Sequence, residues 1–155
     1  MKRRLFEFTC PFCSKSYFLA RDTYLIRDAN SLEYERLKDG SYFRHQCQTC
    51  KNVFDLEYPL IYRDPRQNLS IIRTQGEVNG LSGKAVLTRN TRQFLEAFSI
   101  LDLQLDLKEV LKIKRAYEKE SGKSTRVVDY DAKKGILWLD QSGSLIGVGY
   151  PKSES

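Results

Sequence analysis

The chain has 155 residues, 41% hydrophobic and 30% charged, a balance that excludes a disordered chain and suits one domain or two small ones. No apolar run approaches the roughly 20 residues that a membrane helix needs. The net charge of +6 is unevenly spread: residues 1–60 carry 10 Lys/Arg against 8 Asp/Glu, residues 61–92 carry 6 against 2, and residues 93–155 carry 10 against 10.

In chain order, Met1 to Phe8 is basic but leads into no apolar stretch or cleavage site, so no signal peptide is expected and the chain is placed in the cytoplasm. Residues 5–10 alternate and predict a strand, and a second strand is expected over 16–26. Asn30, with Glu33 three residues on, has the pattern of a capping box for a short helix over 31–39 that stops at Gly40. Strands are expected at about 42–47 and 53–58, and residues 63–68 read as a turn before a strand at 69–73. The stretch 76–83 holds three glycines and reads as flexible. Asn90 or Thr91 can cap a helix at about 91–101, with Phe94, Leu95, Phe98 and Leu101 on one face. Asp106 caps a second at 106–121, with Leu107, Val110, Leu111, Ile113 and Tyr117 facing a core and Gly122 ending it. Its lysines and arginine are balanced by acids and read as a solvated face. Turns at Lys133-Lys134-Gly135 and Gln141-Ser142-Gly143 predict a meander over 125–150.

The chemistry lies in a short internal repeat. Cys10-Pro-Phe-Cys13 and Cys47-Gln-Thr-Cys50 each have an aromatic, Tyr17 or Phe54, four residues after the second cysteine and a leucine six after. Phe6 and Phe43 each stand four before the first cysteine. Reduced thiols in two such pairs point to metal or redox chemistry rather than disulfides. A two-residue gap lets neighbouring sulfurs reach one ion at ~2.3 Å, so two knuckles can clamp a single structural zinc on Cys10, Cys13, Cys47 and Cys50. The 33 residues between the pairs hold a strand and a helix that can fold out as an excursion.

Cys10-Pro-Phe-Cys13 after a strand also looks like a glutaredoxin-type redox motif. That reading needs a helix directly after Cys13, where Ser16-Tyr17-Phe18-Leu19 looks like a strand, and it leaves the second pair unexplained. His45, the lone histidine, reads as a packed or solvent-facing strand residue, because four thiolates already complete a site. Trp138 reads as a core or sheet-face residue. The basic stretch offers Arg63, Arg66, Arg73, Arg89 and Arg92 as candidate phosphate contacts, but with only Tyr62 as a stacking partner it is poor material for nucleic acid.

The sequence resembles the CpXC family, named for paired Cys-Pro-x-Cys-type motifs. The likeness is carried by Phe8-Thr9-Cys10-Pro11-Phe12-Cys13, Asp39-Gly40, Cys47-Gln48-Thr49-Cys50 and Leu56-Glu57-Tyr58-Pro59-Leu60-Ile61-Tyr62-Arg63-Asp64. It continues more faintly into Phe94-Leu95 and Leu105-Asp106, about residues 5 to 110 in all. The second pair has Gln48 where the family has proline, a position that shapes the turn and ligates nothing. The resemblance supports the metal site and implies no reaction.

The expected fold is therefore α+β: a zinc-ribbon-like module over 1–63 with a helical insert, then two helices and a β meander over 64–155. The expected function is that of a zinc-stabilised binding or adaptor protein, not an enzyme, with a protein partner or a second copy of itself. Weak nucleic-acid binding is the alternative, and a thiol–disulfide oxidoreductase using Cys10 and Cys13 ranks below it. No membrane association is expected.

Overall fold

The computed structural model describes residues 3–78, 80 and 83–150. The fold is α+β, with three α-helices, antiparallel hairpins and a three-stranded meander at its end. Two compact units are formed, Met1–Leu95 and Glu96–Ser155. The division falls inside a helix; residue 63 lies within the strand Leu60–Asp64, whose pairing with Leu69–Arg73 keeps that stretch in one unit.

In the first unit, β1 (Arg3–Thr9) and β2 (Ser16–Asp22) form an antiparallel hairpin with Phe8 opposite Tyr17 and Phe6 opposite Leu19. The strand expected over 16–26 breaks at Thr23. From there β3 (Tyr24–Ile26) leaves β2 and pairs in parallel with β6 (Leu60–Asp64), where Leu25 is buried. Burial of that leucine favours the change of sheet. Helix α1 (Leu32–Asp39) is capped by Ser31, not Asn30. The Ser31 hydroxyl accepts from the Tyr34 N–H at 3.1 Å, whereas the Asn30 N–H is committed to Asp28 in the preceding turn. Gly40 closes the helix at φ 83°, as the sequence predicts.

A second hairpin, β4 (Arg44–Gln46) and β5 (Val53–Asp55), follows. Next comes a mixed sheet in the order β3-β6-β7-β8, with β7 at Leu69–Arg73 and β8 at Lys84–Thr88. β6 and β7 are joined by a 3-10 turn at Pro65–Gln67, which the Asp64 carboxylate starts by accepting from the Arg66 N–H. Asn68 ends that turn at φ 48°, and its carbonyl accepts from the Lys84 N–H to seat β8. Gly83 passes so close that a Cβ there would lie 2.3 Å from the Asn68 carbonyl oxygen, which only glycine tolerates. Positions 79, 81 and 82 of the glycine-containing stretch lie outside the described residues.

The first unit's core is aromatic. Phe43 and Tyr58 are buried with ring centroids 5.5 Å apart, and Phe94 meets Phe43 edge-on at 5.6 Å. Phe94 belongs to α2 (Thr91–Leu101). Asn90 caps this helix, accepting from the Gln93 N–H at 2.9 Å, while Thr91 donates its hydroxyl to the Leu56 carbonyl.

In the second unit, α3 (Leu107–Ser121) runs from the Asp106 cap to Gly122 at φ 72°. It lies over the meander β9 (Arg126–Asp131), β10 (Ile136–Gln141) and β11 (Ser144–Gly149). Val110, Val127, Leu137 and Leu139 form the core with Ile100 and Leu105. Alternation puts Trp138 on the opposite face, over Gly147. The charged face of α3 is not wholly solvated. Lys114 is 5% exposed, and its ammonium is held between Glu96 at 2.9 Å and Glu118 at 3.0 Å. Glu118 also accepts from the Thr125 N–H at 2.6 Å, so α2, α3 and the start of the meander meet at one ionic cluster.

Candidate metal centre

The two cysteine pairs sit at the tips of the β1–β2 and β4–β5 hairpins, and their turns have the same backbone. The Cys10 N–H donates to the Lys15 carbonyl and its carbonyl accepts from the Ser14 N–H, both at 2.9 Å. The Cys47 N–H donates to the Asn52 carbonyl and its carbonyl accepts from the Lys51 N–H, again at 2.9 Å. Ser14 and Lys51 hold the left-handed conformation at φ 65° and 66°. A non-glycine residue with positive φ is uncommon. Two at the same place in two copies of a turn mark one motif used twice.

Behind each turn the hairpin register is repeated as well. Phe8 faces Tyr17 in the first, and His45 faces Phe54 in the second. The Tyr17 ring lies 5.2 Å from that of His45, which in turn meets Phe54 at 5.8 Å. Histidine is thus packed in an aromatic row that links the hairpins, as the sequence reading of a packed strand residue has it.

All four Sγ atoms lie within 4.8 Å of one another. Cys10 Sγ is 3.6 Å from Cys50 Sγ, and Cys13 Sγ is 3.7 Å from Cys47 Sγ. A disulfide requires ~2.05 Å, so these are free thiols. Four sulfurs at ~2.3 Å from a central ion would stand ~3.8 Å apart in a tetrahedron, which the observed separations nearly match. Cys10, Cys13, Cys47 and Cys50 therefore fit a metal ion as a closed four-sulfur set.

Backbone and side-chain donors already favour thiolates. The Phe12 N–H points at Cys10 Sγ at 3.4 Å, and the Asn52 amide donates to Cys50 Sγ at 3.4 Å. N–H groups of Cys50 and Thr49 outweigh desolvation and hold the Cys47 thiol down at about 6. Cys50 is also lowered, first by the Asn52 N–H and then by its side chain. At Cys13 the Lys15 N–H pulls downward, but desolvation and contacts with the other three thiols outweigh it and push the group up to about 11. Four sulfurs this close cannot all ionise without a cation to share.

Four of the five arginines singled out in the sequence are bonded within the chain. Arg63 bonds to Ser70 and Asn68, and Arg66 forms two side-chain bonds to the buried Asp64. Arg73 donates to Glu57, and Arg89 donates to the carbonyls of Thr74 and Gly76. Arg92 is exposed on α2. Sequence reasoning passed over Glu57, whose Oε1 accepts from Thr91 and Arg73; an acid 34 residues before its partner leaves no local pattern.

Twin knuckles that bring four thiols to metal-ligand spacing define a paired-cysteine protein of the ribbon type. The family model described as CpXC protein matches residues 8–120, and the chain belongs to the CpXC family. The match takes in both knuckles and α1 to α3 and stops short of the meander. No curated protein and no solved structure matches the chain.

Proposed function

We propose that this CpXC protein is a zinc-stabilised binding or adaptor protein with one structural zinc on Cys10, Cys13, Cys47 and Cys50. The observation that carries the reading is the repeated turn, which aims two pairs of sulfurs at one point from opposite hairpins. Four thiolates suit zinc and fill its tetrahedron, leaving no open position for water or substrate. A site of that kind supports structure rather than hydrolysis, which speaks for a non-enzymatic role. Thiol–disulfide exchange finds less support, because Cys13 is followed by the strand β2 and not by a helix whose N-terminus would activate a thiolate. Nucleic-acid binding is also weakly supported, since four of the five candidate arginines are engaged within the chain. The partner is then a protein or a second copy of this chain. No helix among the described residues is long and apolar enough to cross a membrane.

Metal analysis of protein purified without added zinc tests the reading. About one zinc per chain is expected, and Cys10→Ser or Cys47→Ser should remove it and unfold the two hairpins, because binding energy at such a site is folding energy. A folded wild type with no metal would overturn it. Affinity capture with the zinc-loaded chain against the Cys47→Ser variant tests the adaptor role, which fails if the two retain the same set of proteins.

A further inference from the structure

Among the described residues β11 forms one edge of the meander, and its register with β10 runs without irregularity. Sheet edges in folded proteins are commonly blunted by charge, proline or a bulge, because open N–H and C=O groups invite another strand. The opposite edge is blunted in this way: β9 carries Arg126, Asp129 and Asp131, and the β9–β10 register shifts between Trp138 and Leu139. β11 reads Ser-Leu-Ile-Gly-Val-Gly and carries none of these devices.

The turn before β11 fixes which of its groups are open. Ser142 and Gly143 have positive φ, 52° and 91°, as a two-residue type I′ hairpin requires, so Gln141 and Ser144 form a hydrogen-bonded pair. Such pairs alternate along an antiparallel ladder. Ile146 and Val148 therefore bond to β10, and Tyr150 keeps the same phase by donating to the Gly135 carbonyl at 2.7 Å. Leu145, Gly147 and Gly149 turn their N–H and C=O groups the other way. All three are exposed, and a glycine's exposure is that of its backbone.

These three positions are symmetric about Gly147. An identical strand running the opposite way meets them as Leu145 with Gly149, Gly147 with Gly147 and Gly149 with Leu145, each a pair that exchanges two hydrogen bonds. Side-chain size fits the same register. Leu145, 65% exposed, falls opposite a glycine. Gly147 is already overlain by its own sheet, since a Cβ there would lie 3.0 Å from Ile136 Cγ2 and 3.3 Å from the Trp138 ring.

We infer that a second copy of this chain pairs with β11, edge to edge about a two-fold axis at Gly147, joining two meanders into one continuous sheet. The assembly closes as a dimer, because the edges left over are the blunted β9 strands. The inference rests on the binding role proposed above and gives it a surface, which lies outside the matched residues 8–120 and uses neither hairpin of the metal site.

Sedimentation equilibrium of the full chain as purified tests it, with zinc measured on the same samples. A reversible species of twice the 18.1 kDa chain mass is expected, with a dissociation constant on the order of 10 µM, as suits a small interface. In hydrogen exchange the amides of Leu145, Gly147 and Gly149 should gain protection with concentration, while those of Ile146 and Val148 are protected throughout. Gly149→Pro removes an outward N–H where a Cβ meets nothing within 4 Å, and Leu145→Lys puts a charge at an exposed position. Each should weaken the dimer about tenfold or more and leave thermal stability and zinc content alone. A chain that stays single up to ~1 mM, a dimer whose three amides stay unprotected, or one that both variants retain would overturn the inference. A single chain that holds zinc would leave the metal reading standing, and a metal-free dimer would leave the pairing standing.

Discussion

Glu57 Oε1 lies 2.7 Å from the backbone nitrogen of Thr91, so a carboxylate from the segment before β6 closes the first turn of α2. The same oxygen lies 2.9 Å from the Thr91 hydroxyl oxygen and faces the Arg73 guanidinium. A negative charge at a helix N-terminus is favourable, and here it also orders two separate elements. Replacing Glu57 with alanine should cost about 2 kcal/mol in urea unfolding, the scale of losing charge-assisted bonds to partly buried donors. Glu57→Gln should recover part of that. An unchanged midpoint for the alanine variant would show that the contact contributes nothing.

Acid should weaken the cluster around Lys114. Desolvation raises Glu118, but the Thr125 N–H and Lys114 outweigh it, and the carboxyl is held below its usual 4.5. A depressed folded value means that the stabilisation is complete above the unfolded value and fades as pH falls through the folded one. Stability should therefore be flat in this respect above pH 4.5 and decline below it. Glu118→Gln should remove that part of the slope and lower stability at neutral pH by about 2 kcal/mol. Urea unfolding at a series of pH values, read through Trp138, checks both statements.

Oxidation separates a metal site from a redox centre. The contacts at 3.6 and 3.7 Å join Cys10 to Cys50 and Cys13 to Cys47, across the hairpins. A brief oxidant pulse on the untreated chain should leave all four thiols reduced, and chelation before the pulse should make them reactive, as read by peptide mass mapping. Cys10–Cys13 as the main product, with turnover of a disulfide substrate, would favour the oxidoreductase.

Phosphate contacts should be few. With Arg63, Arg66, Arg73 and Arg89 engaged inside the chain, binding to mixed oligonucleotides should be weak and vanish near ~150 mM salt. Sub-micromolar binding that survives such salt and is lost in Arg66→Ala, Arg73→Ala and Arg89→Ala would reverse the order of partners.

The parts legible in the sequence were those with local signals. The repeat around Cys10 and Cys47 located the thiol cluster, because spacing within a turn fixes where sulfurs point. Asp106, Gly40 and Gly122 marked helix ends through their own backbone chemistry. The Asn30 capping box failed because Ser31 stood one residue nearer, with a hydroxyl able to reach the Tyr34 N–H. The sheet of β3, β6, β7 and β8 was hidden for a different reason: two of its three pairings are parallel, and a parallel pair carries no turn between its strands. Lys114 was read as solvated because charge balance along a helix does not reveal acids arriving from elsewhere, as Glu96 does.

The same sheet sets an order of events in folding. Only β6 and β7 are joined by a tight turn, the one that Asp64 and Asn68 close, and they form the sheet's one antiparallel pair. β3 must wait for the chain from 27 to 59 to loop back, and β8 for the segment from 74 to 83. Closing a loop costs entropy before its contacts repay it. The β6–β7 hairpin is thus the natural nucleus, and the edge strands are the last to dock and the first to open in hydrogen exchange.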